Sequence, residues 1–304
     1  MTVSNSPLIQ LRELGQSPWC DQLSRELLES GQLARLVREL GITGLTSNPT
    51  IFHKAMSSGD SYDAQIRDAA SRGLDAKAIY EELAVRDIQA VADLLRPVYE
   101  QSNQQDGFVS LEVSPDLAYD ASRSVLEGRR LWAAVDRPNL MIKIPGTKAG
   151  IPAVTALLGE GVNVNVTLVI GRRRYREVLE AHAEGLLQAK ANGLRLQTIA
   201  SVASFFVSRV DTLVDQLLDL KADVAANPVE RDRLLSLKGQ AAIANAKSAR
   251  VCWEMWRDDD PMRSLLTEGA QPQRLLWAST STKNPAYKDV LYVEELIGPD
   301  TVNT

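Results

Sequence analysis

Lys143 lies inside an apolar run, Leu140-Met141-Ile142-Lys143-Ile144-Pro145-Gly146-Thr147. Burying an ammonium in such a run is expensive. A desolvated lysine gives up its proton more readily, and the neutral amine is a nucleophile that forms Schiff bases with carbonyl compounds. The alternative is a strand-end lysine whose stem packs while its head reaches water. Two other segments favour the chemical reading. In Phe108-Val109-Ser110-Leu111-Glu112-Val113-Ser114, apolar residues alternate with Ser110, Glu112 and Ser114. In Val162-Asn163-Val164-Asn165-Val166-Thr167-Leu168, valines alternate with Asn163, Asn165 and Thr167. Strand side chains point alternately to opposite faces. With the apolar sets turned outward, a carboxylate, a lysine and an amide–hydroxyl pair share one interior. A purely structural Glu112–Lys143 ion pair is the competing explanation, and a buried ion pair often costs stability rather than adding it.

Further polar residues fall where these strands and their neighbours end. Asp21 follows Trp19-Cys20 and precedes Ser24, so it is an acid/base candidate or a helix cap. Asn48, in Thr46-Ser47-Asn48-Pro49-Thr50, is a polar contact or turn chemistry before proline. Ser204 and Arg209 straddle a strand-to-helix junction, the place for a phosphate. Ser204 alone reads as an N-cap. Ser279 and Lys283 would complete such a site, although Lys283 alone reads as a surface lysine. With two histidines, His53 and His182, a histidine metal centre or a Ser-His-Asp triad has little to draw on. His182 is expected on a helix surface, and Arg172-Arg173-Arg174 with Arg176 on a solvated face.

The elements that must position these residues alternate along the chain. Strands are expected at 18–21, 41–46, 108–113, 140–144, 162–169, 196–203, 275–279 and 301–304. Helices are expected at 24–40, 76–99, 115–135, 149–158, 172–191, 204–221 and 234–255. Such alternation implies a parallel sheet, and eight strands imply an α/β fold of the (β/α)8 TIM barrel type. The barrel spans 1–304, with its eighth strand at the extreme C-terminus and no final C-terminal helix. No G-x-G-x-x-G follows the first strand, which argues against an open dinucleotide-binding sheet. Residues 146–150 read as a βα turn, and 257–273 as an acidic surface excursion.

Net charge is −5 and the pI about 5.3, so no broad basic face for nucleic acid is expected. Cys20 and Cys252 form no disulfide framework, which suits a reducing, cytoplasmic setting. The N-terminus lacks a signal-peptide pattern and no run approaches a membrane span. A monomer and a homodimer both remain open.

Taken together, Thr46 to Phe52, Leu111 to Ser114, Met141 to Thr147, Asn163 to Leu168 and Ser204 to Arg209 resemble the transaldolases over nearly the whole chain. All five pieces occur in order, spaced for successive barrel strands. The resemblance implies transfer of a dihydroxyacetone unit between sugar phosphates in the pentose phosphate pathway, without metal or organic cofactor. It assigns the Schiff-base lysine to Lys143, the water-activating glutamate to Glu112 and the carbon–carbon cleavage acid/base to Asp21. Thr167 joins these catalytic groups, while Asn48, Asn165, Ser204, Phe206, Arg209 and Ser279 are the expected substrate contacts. Phe205 and Phe206 match transfer, since a tyrosine near the sixth strand accompanies the related fructose 6-phosphate aldolases. Two departures stand out. Some members carry arginine where this chain has Ser281, leaving Lys283 as a stand-in. The family usually continues past the eighth strand, which keeps an inactive sugar-phosphate-binding barrel, or a fragment of a longer fused protein, as a third reading.

Overall fold

The computed structural model describes residues 6–304. Eight parallel strands close into a barrel in chain order. They are β1 (Gln16–Cys20), β2 (Gly44–Thr46), β3 (Val109–Glu112), β4 (Leu140–Pro145), β5 (Val164–Val169), β6 (Ser201–Phe206), β7 (Arg274–Ala278) and β8 (Thr301–Asn303). The last of these pairs with both β7 and β1, so the segment read as an eighth strand is the one that closes the barrel.

Helix α1 (Pro7–Glu13) precedes the barrel. The single helix expected over 24–40 is broken into α2 (Arg25–Glu29), α3 (Gln32–Arg35) and a π-helical turn, Leu36–Leu40. Gly31, at φ 73°, makes the break. Between β2 and β3 lie α4 (Pro49–Ser57), α5 (Asp63–Ser71) and α6 (Ala76–Gln101). The expected helix over 115–135 is a 3-10 turn, Pro115–Leu117, followed by α7 (Ala121–Val135). Asp120 starts α7 by accepting from the Arg123 amide at 3.0 Å. Helices α8 (Gly150–Gly159), α9 (Arg172–Ala191) and α10 (Ser208–Asp223) follow β4, β5 and β6. The expected helix over 234–255 divides into α11 (Pro228–Leu235) and α12 (Ala241–Asp258). The stretch read as an acidic excursion contains α13 (Met262–Thr267), which buries Met262 and Leu265. A short α14 (Leu291–Glu295) precedes β8.

One correction affects the site. β6 runs to Phe206 and α10 begins at Ser208, so the expected helix start at Ser204 is wrong. Ser204, Phe205 and Phe206 pair with Leu276, Trp277 and Ala278, and the aromatic pair prolongs the strand. Ser204 is therefore a strand residue, not an N-cap.

The main core lies between sheet and helices, where Val109, Leu111, Ile142, Val164 and Val166 meet the helical stripes. A second cluster fills the bore with Trp19, Phe108, Met141, Val202, Leu276 and Val302. Gly44 makes room for it, because a Cβ there would lie 2.4 Å from the Trp19 ring. His182 belongs inside rather than on a helix surface: it is fully buried, edge-on to Trp256, and burial pulls its pKa down to about 3. Among the described residues, no helix is long and apolar enough to cross a membrane.

Candidate active site

Register sets the centre of the site. Glu112 on β3 pairs with Lys143 on β4, and Lys143 with Asn165 on β5. All three face the bore near the C-terminal ends of the strands, where active sites of this architecture sit. Lys143 is only 6% exposed. Its Nζ lies 3.4 Å from Glu112 Oε2 and donates to the Ser47 carbonyl at 3.0 Å. Burial holds the Lys143 ammonium below the usual lysine range, with Glu112 and Asp21 opposing the shift. Burial likewise raises the Glu112 carboxyl, with Lys143 opposing. Both shifts favour the uncharged forms, which are the forms that attack a carbonyl and donate a proton.

The asparagine is oriented at both ends of its amide. Asn165 Nδ2 donates to Ser110 Oγ at 2.9 Å, and Asn165 Oδ1 accepts from Ser204 Oγ at 2.8 Å. Thr167, two residues on and 1% exposed, shares the same face. Thus the alternation in β3 and β5 points the polar sets inward, as expected from their period.

Other expected residues stand around the rim. Asp21 is exposed one residue beyond β1. Ser24, not Asp21, caps α2, accepting from the Leu27 amide at 3.1 Å. Asp21 is left free of capping, and its charge is felt at Lys143. Asn48 does cap α4, taking the Ile51 amide on Oδ1 at 2.9 Å. Arg209 sits in the first turn of α10 with its guanidinium 4.7 Å from the Phe206 ring centroid. It makes no ion pair among the described residues. Ser279, just past β7, adopts φ 58° and places its Oγ 3.0 Å from Ser208 Oγ. Lys283 stands apart: its Nζ donates to Ser281 Oγ at 2.6 Å, and no contact joins it to Arg209. The loop that carries it is tied to α10 by Tyr287 on Asp215 and Tyr292 on Asp211.

The sequence hid two participants. Tyr80 on α6 packs edge-on to Phe52, and burial together with the Glu112 charge holds its phenol up at about 12. Its spacing in α6 is that of any core aromatic. Ser47 acts through its backbone carbonyl, which has no side-chain signature. A cavity of about 790 Å³ opens at the opposite, N-terminal end of the barrel, lined by Arg12, Ser17, Asp106 and Arg274. It holds none of the groups just described.

A sequence model of the transaldolase/fructose-6-phosphate aldolase family matches residues 18–304. The transaldolase of Saccharopolyspora erythraea is 50% identical over 301 residues, covering 99% of this chain and 79% of the relative. Transaldolase 2 of a Nostoc species is 48% identical over 298 residues, covering 98% of this chain and 78% of the relative. The transaldolase of Mycobacterium tuberculosis is 47% identical over 305 residues, covering 100% of this chain and 80% of the relative.

Proposed function

The chain belongs to the transaldolase/fructose-6-phosphate aldolase family, and from that premise we propose that it carries a dihydroxyacetone unit from a ketose phosphate to an aldose phosphate. Sedoheptulose 7-phosphate and glyceraldehyde 3-phosphate would give erythrose 4-phosphate and fructose 6-phosphate. Neutral Lys143 attacks C2 of the ketose. Glu112, through a water held by Thr167, protonates the departing hydroxyl, and the carbinolamine loses water to become an iminium. Asp21 takes the proton of the C4 hydroxyl. The C3–C4 bond breaks, its electron pair passes into the iminium, and the aldose phosphate leaves. Asn48, Asn165 and Ser204 hold the enamine until a second aldehyde accepts it by the reverse steps. Arg209, with Ser279 and Phe206 on the adjoining rim, receives the phosphate as a charge-assisted contact, and Lys283, which stands apart from them, would reach it only from its loop. Two free thiols, Cys20 and Cys252, fit a reducing compartment such as the cytoplasm.

The observation that carries this proposal is the buried amine of Lys143, held below the usual lysine range although a carboxylate lies 3.4 Å away. Borohydride reduction with fructose 6-phosphate, followed by peptide mass spectrometry, tests it. A three-carbon adduct on Lys143 is expected; its absence from folded protein would overturn the Schiff-base role. Transfer and simple aldol cleavage then separate on product. Transfer consumes erythrose 4-phosphate as acceptor, whereas cleavage releases free dihydroxyacetone without one.

A further inference from the structure

We infer that the Ser47 carbonyl is the acceptor that aims the Lys143 amine and then holds the N–H of the iminium, and that the Ser47 hydroxyl sets that carbonyl in place. The inference rests on the Schiff-base reading of Lys143 and adds a residue to it. β2 is only three residues long. Its ladder to β3 includes the bond from the Leu45 amide to the Phe108 carbonyl, 2.9 Å. By the spacing of a parallel ladder, the next rung would run from the Ser47 amide to the Ser110 carbonyl. That carbonyl also accepts from Ser47 Oγ at 2.7 Å. The hydroxyl thus ties Ser47 to β3 just where β2 ends, ahead of the cap at Asn48, whose φ is −152°. The Ser47 carbonyl is thereby presented to Lys143 Nζ, 3.0 Å away.

The contact is suited to the reaction. A neutral amine has two N–H bonds and one lone pair. Giving one N–H to a fixed carbonyl steers the lone pair toward an incoming C2. When the N–C bond forms and water departs, the nitrogen keeps a single proton and gains positive charge. A carbonyl dipole already aimed at that proton stabilises the charge as it develops, without reorganising. Ser47 is 1% exposed, so the contact is shielded from solvent. The charged groups acting on Lys143 are Glu112 from β3 and Asp21 past β1, and the Glu112 charge is also felt by the Tyr80 phenol on α6. From β5 and β6 the bore presents the neutral Asn165 and Ser204.

Ser47→Thr and Ser47→Val are matched in shape and differ by one hydroxyl. Circular dichroism would establish folding. The rate of borohydride-trapped adduct formation with fructose 6-phosphate and the low-pH limb of kcat/KM would then be compared. Ser47→Val should slow adduct formation by about tenfold or more, while Ser47→Thr stays near wild type. The limb of Ser47→Val should move to lower pH, because the cationic amine has lost an acceptor. Mere loosening would admit water and move the limb to higher pH, and that result would overturn the inference. Equal rates in the two variants would overturn it as well. Should Ser47→Val not fold, Ser47→Ala against Ser47→Thr supplies the same comparison. An adduct in the wild-type protein with no hydroxyl effect removes the role of Ser47 alone; no adduct in the wild type removes the Schiff-base reading and this inference with it.

Discussion

At the N-terminal end of the bore, Asp106 accepts from Trp19 Nε1 at 2.9 Å, from the Gly107 amide at 3.1 Å and from Ser17 Oγ, with Arg274 Nη2 3.5 Å away. Arg274 Nη1 also donates to Ser17 at 2.8 Å. At the C-terminal end, Glu112 has Lys143 at 3.4 Å and no other hydrogen-bond or ion partner among the described residues. Both carboxylates are largely buried beside a cation, yet only one has its lone pairs filled. A carboxylate supplied with several donors braces the elements that carry them. A pair supplied only with each other is pushed by desolvation toward neutrality in both members, which leaves protons free to move. The same residue chemistry thus serves as a brace at one end and a reaction centre at the other, and the number of donors decides which.

Substitutions should separate the two ends, and the largest effect falls on Lys143. Lys143→Met should abolish turnover. Because burial lowers the pKa of Lys143, the unfolded chain binds that proton more tightly than the folded one. Stability contributed by this group therefore rises with pH toward lysine's ordinary range, and at neutral pH the lysine weakens the fold. Lys143→Met alone would leave Glu112 buried without a partner, so stability is read on Lys143→Met/Glu112→Gln, which urea unfolding at pH 7 should find at least as stable as wild type; a marked loss would mean that the pair is a brace after all. Glu112→Gln should cut kcat by about 10²–10⁴-fold, the range for a general acid/base, with stability within about 1 kcal/mol. Asp106→Ala should invert that pattern. It strands Trp19 Nε1, Ser17 and the Arg274 guanidinium, and should cost about 3–5 kcal/mol in urea unfolding while folded protein keeps its kcat. A large fall in kcat without destabilisation would erase the distinction between the ends.

Only one of these ends was legible in the sequence. The period-two alternation in 108–114 and 162–168 shows Glu112, Asn165 and Thr167 turning inward, because strand geometry leaves no other arrangement once the valines face the helices. The brace escaped notice because Asp106 lies before β3, outside any alternation, and Arg274 opens β7. The helices α4 and α5 were missed because Asn48-Pro49 and Tyr62-Asp63 resemble turns as much as starts. The end of β6 slipped because Ser204 has the type of a cap, and only its partners on β7 keep it in a strand. Ser47 could not be found at all, since a backbone carbonyl belongs to every residue. His182 is a different failure. Tyr175, Val178, Leu179, His182 and Leu186 recur three and four apart, so the helical period itself places the imidazole on the buried stripe of α9. Spacing, not residue type, decides where this side chain lies.

His182 also extends the comparison to a buried titratable group with no partner. Neither ring nitrogen has a hydrogen-bond partner, and Trp256 Nε1 nearby has none. Burial holds the imidazole neutral down to about pH 3, whereas the unfolded chain protonates it from about 6.5. The unfolded state binds the extra proton between those values, so this stability is full above 6.5 and is lost as pH falls toward 3. Between pH 7.5 and pH 5.0 the loss should be about 2 kcal/mol, read as a shift in urea midpoint. His182→Phe should remove that shift and leave turnover alone, because α9 lies behind β5 rather than in the bore. If the acid sensitivity survives the substitution, it must come from carboxylates other than Glu112. Glu112 itself has the opposite sign. Its raised pKa makes the folded state the tighter proton binder, so its contribution to stability grows as pH falls. A variant that leaves only the Glu112 effect should therefore lose less stability in mild acid than wild type, and that difference in slope separates the buried group without a partner from the buried pair.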